Sequence, residues 1–95
     1  MPEHKLPLRF RILHLINKSE APLSTDDIRQ TLAPEYGGEG QFTPKHLEGH
    51  LLSMKAVGLV AGTAPYFDAA GDVHEKYEIT DFGRSRISYL PSAWR

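Results

Sequence analysis

The sequence predicts an α+β domain in which three helices come first, a two-stranded β-hairpin follows, and a last helix ends the fold. Three observations predict it. Apolar residues recur at helical spacing in three stretches before residue 58. From Val73 to Thr80 the pattern changes to alternation, with Val73, Glu75, Tyr77 and Ile79 on one face and His74, Lys76, Glu78 and Thr80 on the other. Hydroxyl residues suited to capping a helix, Ser24, Thr43 and Thr80, stand just before the second, third and last helical stretches.

The first helix follows Pro7 and runs from Leu8 to Lys18. Leu8, Ile12, Leu15 and Ile16 share one side, and Phe10 and Leu13 widen the apolar arc. Arg11, His14 and Lys18 take the narrower opposite face. So wide an arc suits a central helix with neighbours on two sides. Ser19–Pro22 is a turn, and Leu23 is a single residue of strand before the Ser24 cap. Asp27, three residues past that cap, completes a weak capping box, and Asp26 adds negative charge at the positive end of the helix dipole. Ile28 and Leu32 face inward, and Pro34 marks the expected end of this helix. The stretch PEYGGEGQ is a flexible connection; no Gly-Lys-Ser/Thr follows, so it is not a phosphate loop.

The third helix has the fullest set of signals. Thr43 caps it, Pro44 occupies the first position, and Phe42 can staple onto Leu47. Leu47, Leu51, Met54 and Val57 form its apolar stripe, and Gly58 supplies the left-handed residue that stops it. Leu59–Phe67 reads as the first hairpin strand, weakened by Gly62 and Pro65. Asp68–Asp72 is the turn. Thr80 then caps a helix from Asp81 to about Leu90, with Phe82, Ile87, Tyr89 and Leu90 available for packing, and Pro91 ends it. Residues 1–95 form one domain, with 1–7 an N-terminal arm and 91–95 a tail carrying Trp94.

Composition narrows the function. There is no cysteine, hence no disulfide framework, cysteine-based zinc site or thiol nucleophile. No run approaches the ~18 apolar residues of a spanning helix, and the N-terminus lacks the apolar core of a signal peptide. A cytoplasmic protein that does not associate with membranes is expected. The net charge of −1 conceals a pattern. Residues 1–18 hold four cations against Glu3, and residues 19–41 hold five acids against Arg29. Residues 63–80 hold four acids against Lys76, whereas residues 81–95 hold three arginines against Asp81. Both ends are basic and the hairpin is acidic. His46 and His50 could face one metal ion, but Leu47 separates His46 from Glu48, which breaks the His-Glu-x-x-His order. No metal site, cofactor, catalytic constellation or enzymatic activity is expected.

Two helices packed across a third, followed by a hairpin, is how a winged helix-turn-helix domain is built. The stretch from Leu8 to Leu90 resembles the winged-helix domains of bacterial transcriptional regulators, in particular the PadR-like group and more loosely the MarR-like group. Three segments carry the resemblance. RILHLINKSEAPLSTDDIRQTL resembles the first two helices and their linking turn. TPKHLEGHLLSMKAVGLV resembles the third helix and its exit. YEITDFGRSRI resembles the Tyr-x-(Leu/Ile)-Thr-x-x-Gly-Arg element that leaves the wing and opens the last helix. This third segment is the most specific. In physical terms Tyr77 and Ile79 take the core face, Thr80 caps, and Gly83 permits close packing.

The resemblance implies double-stranded DNA as partner, with helix 43–57 in the major groove and the hairpin as wing. Lys45, His46, Gly49, His50 and Ser53 then lie at or near the groove, with Lys55, Arg29 and Lys76 as further cationic contacts. A homodimer would use Phe10, Leu13, Tyr89, Leu90 and Trp94. The sequence also departs from the pattern. Leu52 and Ser53 stand where relatives place Lys or Arg, and the wing is acidic. The alternative is therefore a winged helix used for protein–protein contact without DNA, through Gly49, Leu52 and Ala56, with Tyr66, Phe67 and Trp94 as anchors.

Overall fold

A computed structural model describes residues 7–40, 42–63 and 65–89. The elements are α1 (Leu8–Lys18), α2 (Thr25–Tyr36), α3 (Pro44–Ala56), β1 (Val60–Gly62), β2 (Tyr66–Phe67), β3 (Val73–His74), β4 (Tyr77–Ile79) and α4 (Asp81–Ile87). This is the expected α+β winged-helix order. α1 sits at the centre, packed against α2, α4 and β4, while α3 packs on α2 and leads into β1. The core is drawn from every helix and from two strands. Ile12, Leu13, Ile16, Ile28, Leu32, Tyr36, Leu47, Leu51, Met54, Val60, Tyr77 and Ile87 are all buried. Each such side chain stabilises the fold by roughly 1.5–3 kcal/mol relative to exposure.

The caps form as their residue types dictate. The Ser24 hydroxyl accepts the Asp27 N–H at 3.0 Å, and the Asp27 carboxylate accepts the Ser24 N–H at 2.9 Å, a reciprocal capping box. Thr43 accepts from His46 N–H and Thr80 from Gly83 N–H, at 3.2 and 3.0 Å. Gly58 leaves α3 at φ +84°, where a side chain would be strained. Gly83 lets α4 approach the end of β4: a Cβ there would fall 2.7 Å from Ile79 Cδ1 and against the Leu59 carbonyl oxygen. Leu23 is a one-residue strand, exchanging two backbone hydrogen bonds with Tyr77 at 2.9 and 2.8 Å.

Four expectations need correction. α2 does not end at Pro34 but runs two residues further, to Tyr36. The Pro34 ring points to solvent, and Tyr36 gains a buried position with its ring stacked on Phe42 at 6.4 Å. Arg11 of α1 also grips Glu35 through two hydrogen bonds of 3.1 Å. Tertiary burial thus outweighs the single backbone bond that proline removes. Val57, expected in the core, is exposed because the helix has already ended at Ala56. Phe82 is likewise exposed, and α4 stops at Ile87 rather than near Leu90, a residue outside the described ones.

The hairpin is the fourth correction. It is two short ladders rather than two continuous strands. β1 pairs with β4 (Val60 with Ile79, Ala61 with Glu78, Gly62 with Tyr77), and β2 pairs with β3 (Tyr66 with His74, Phe67 with Val73). Three positions separate Gly62 from Tyr66 but only two separate His74 from Tyr77, so the outgoing arm carries one extra residue between the two ladders, as a bulge does. Beyond it the hairpin leaves the core. Tyr77 stays buried, but Val73, expected on the same core face, is 61% exposed.

Candidate nucleic-acid interface

The helix-turn-helix is α2, the connection 37–43, and α3. Leu47, Leu51 and Met54 hold one side of α3 in the core. Helical geometry then sends Lys45, Gly49, Leu52 and Ala56 outward in one stripe, and all four are exposed. A Cβ built on Gly49 would meet nothing within 4 Å. The Lys45 ammonium has no ion pair among the described residues, and it stands in the first turn. The stripe therefore has one free cation at its N-terminal end and a small, uncharged remainder in which Leu52 is 51% exposed.

The two flanks of α3 differ. His46, His50 and Ser53 form the flank toward the start of α1. His46 is engaged with its own cap, the ring Nδ1 lying 2.8 Å from Thr43 Oγ1. Arg9 of α1 donates its Nε–H to His50 Nδ1 at 3.2 Å. Burial, then the nearby Arg9 and His46, hold the His50 pKa below its ordinary 6.5. The imidazole is thus favoured neutral, with its Nδ1 accepting. Arg9 adds a cation to this edge that the residue pattern did not reveal, since 41 positions separate it from His50.

Glu48 and Lys55 form the flank toward the hairpin. Lys55 Nζ lies 2.7 Å from Glu75 Oε1, so this cation is paired within the chain. Between the N-terminal ends of α2 and α3 and the wing lies an open groove of about 450 Å³, lined among others by Asp26, Arg29, Glu48, Tyr66, Asp68 and His74. Arg29, an expected phosphate contact, bonds Asp26 at 2.7 Å, and this pairing lowers the Asp26 pKa. Lys76 stands over the Tyr66 ring at 5.8 Å. Asp68 accepts the N–H groups of Ala70 and Asp72 and lies 2.6 Å from His74 Nε2. The His74 contact first, and the backbone donors next, hold its carboxyl below the usual range.

The expected DNA-contact residues are thereby divided. Lys45 and Gly49 share the exposed outer surface of α3, and Ser53 lies half-buried on its flank toward α1. His46 and His50 border it but are engaged locally. Lys55, Arg29 and Lys76 all lie nearer the hairpin or α2, each with a partner. Among the residues expected at a dimer seam, Phe10 is exposed on α1 and Tyr89 is 75% exposed with Arg86 stacked on its ring at 5.0 Å. Leu13 is 3% exposed, a core residue already covered by its own chain, and so offers no surface to a second copy. Leu90 and Trp94 lie outside the described residues, as does the N-terminal arm before Pro7. Of the expected aromatic anchors, Phe67 is exposed and Tyr66 half-buried. Among the described residues no three His, Asp or Glu side chains converge as a metal site. No helix there is long and apolar enough to cross a membrane.

No family model matches the sequence, and no characterised protein matches it by sequence comparison. Solved structures do match. Bacillus subtilis PadR, in complex with operator DNA, superposes with a TM-score of 0.68 at 20% identity, over 90% of this chain and 50% of its own. A PadR-like transcription factor from Bacteroides fragilis gives 0.68 at 25% identity, over 92% of this chain and 79% of its own. A PadR-like transcriptional regulator from Bacillus cereus gives 0.66 at 23% identity, over 92% and 80%. This chain spans half the length of the Bacillus subtilis protein. Three-helix core, broken hairpin and capped last helix together have the winged helix-turn-helix fold of the PadR-like regulators.

Proposed function

We propose that this chain is a DNA-binding transcriptional regulator that lays α3 in the major groove. The observation that carries this reading is the outer face of α3, exposed and headed by a Lys45 with no ion pair among the described residues, in a fold shared with a regulator solved on its operator. Lys45 contacts phosphate or a base edge, the open surface over Gly49 lets the helix backbone come close, and Ser53 and His46 add polar contacts. Arg9 extends the cationic edge along the phosphate strand. A homodimer, joined through Phe10, Tyr89, Leu90 and Trp94, pairs two half-sites and supplies affinity that one small domain lacks. Such a protein works in the cytoplasm.

The test is binding to mixed genomic duplex across a salt series. Wild type is expected to bind in the micromolar range, with an affinity that falls steeply with salt. Lys45→Glu is expected to weaken binding to every duplex and flatten the slope by about one. A duplex bound equally by both proteins, with equal slopes, would move the contact away from α3.

A second reading has its own support. Gly49, Leu52 and Ala56 carry no charge, and the hairpin beside them is acidic, a surface that suits a protein partner better than phosphates. A folded protein that binds no duplex at low salt would favour this reading, with the Leu52 face as the contact.

A further inference from the structure

We propose that Glu75 is a built-in competitor for phosphate: it occupies Lys55 and thereby limits how tightly the domain grips DNA. The proposal rests on the DNA-binding reading above. It adds that the weak cationic character of the α3 surface is partly imposed by the hairpin.

Two contacts place the Glu75 carboxylate. Its Oε1 is 2.7 Å from Lys55 Nζ, across 20 residues of sequence. Beneath it is Gly62: a Cβ on that glycine would fall 2.7 Å from Glu75 Cδ and against one carboxylate oxygen, so a side chain there would push the carboxylate from this position. Glu75 thus sits against β1 as well as against Lys55. Its side chain is 25% exposed, whereas Lys55 is 43% exposed and remains reachable from solvent.

The position matters as much as the geometry. Lys55 lies on the hairpin flank of α3, two turns beyond Glu48. With α3 in a major groove and the hairpin alongside, a phosphate strand passes between them. A phosphate reaching Lys55 must displace Glu75. The vacated carboxylate then recovers a cation from solution, which cancels the counterion released from the phosphate. In the wild type this contact adds little affinity and little salt dependence.

Glu75→Gln removes the competitor and keeps the shape. It is expected to tighten binding to mixed-sequence duplex roughly fivefold at about 0.1 M salt, and to steepen the salt slope by about one. Glu78→Gln is the control, since it removes the same charge from the same hairpin at an exposed position with no ion pair among the described residues. Screening over about 10 Å limits its gain to roughly twofold. Lys55→Gln added to Glu75→Gln should abolish the gain. Gly62→Ala, which pushes the carboxylate aside while leaving its charge, should reproduce part of it and serves if Glu75→Gln folds poorly.

A gain specific to Glu75 and dependent on Lys55 establishes the competitor. Equal gains from Glu75→Gln and Glu78→Gln, or a gain that survives loss of Lys55, overturn it while leaving the DNA reading in place. If no variant binds duplex at the lowest salt, with circular dichroism showing each folded, both readings fall together.

Discussion

One substitution, glycine to alanine in a helix, should have opposite effects at two places in this fold. At Gly49, mid-helix on the outer face of α3, the added methyl meets open space. Alanine there gains about 0.5–1 kcal/mol of helix propensity with no steric cost. For a domain of this size 1 kcal/mol moves the melting temperature by about 4–8 °C, so Gly49→Ala should melt roughly 3–6 °C higher. At Gly83 the methyl meets the Leu59 carbonyl oxygen and lies 2.7 Å from Ile79 Cδ1. That oxygen cannot retreat freely, because it accepts from the Thr80 N–H at 3.2 Å and from the Thr80 hydroxyl at 3.0 Å. Overpacking of this kind costs about 1–3 kcal/mol, more than the helix gains. Gly83→Ala should melt roughly 5–15 °C lower. Thermal unfolding by far-UV circular dichroism reads both. With α3 in the groove as proposed, the same Gly49→Ala protein should bind duplex several-fold more weakly than wild type, since its methyl would stand between the α3 backbone and the bases. A lowered melting temperature for Gly49→Ala would refute the open outer face. An unchanged DNA affinity in a stabilised protein would refute the placement of that face against the groove.

Two further outcomes follow from groups already located. His14 and His50 both have pKa values below the ordinary 6.5, chiefly through burial and then through Arg11 and Arg9 respectively. The unfolded chain takes up these protons first as pH falls, so stability is full above about pH 6.5 and declines below it toward the folded pKa values. Urea midpoints measured from about pH 7.5 down to about pH 5 should fall, and the His14→Gln, His50→Gln double variant should flatten that fall. At the proposed seam, Phe10→Glu changes an exposed residue and should leave stability within about 0.5 kcal/mol. Sedimentation should show the wild type as a dimer and the variant as a monomer; a dimer unaffected by the change would place the seam elsewhere.

What the residues revealed in advance was mostly local. The bounds of α1, the Ser24–Asp27 box, the Thr43 and Thr80 caps, and Gly58 all depend on interactions within a few positions. The failures were long-range. Pro34 reads as a helix end until Tyr36 is seen buried against Phe42 and Glu35 held by Arg11. The alternation from Val73 to Ile79 reads as one core-facing strand, yet one extra residue in the other arm breaks the pairing and leaves Val73 in solvent. At the candidate interface, the stripe of Lys45, Gly49, Leu52 and Ala56 follows from helix periodicity alone. The pairing of Lys55 with Glu75 and the reach of Arg9 to His50 do not, because neither has a spacing rule to announce it.

The two hydrogen bonds between Leu23 and Tyr77 bear on how the chain reaches this structure. They join a residue placed between the first two helices to the returning arm of the hairpin, enclosing the whole helix-turn-helix within a single loop of backbone. Closing so long a loop is entropically unfavourable until the core is nearly assembled. The bridge therefore belongs to the last steps of folding. Once closed, it joins the first helices and the wing into one cooperative unit. A nascent chain that has emerged only as far as the third helix holds every residue of the outward α3 stripe, yet still lacks the backbone partner that completes the domain.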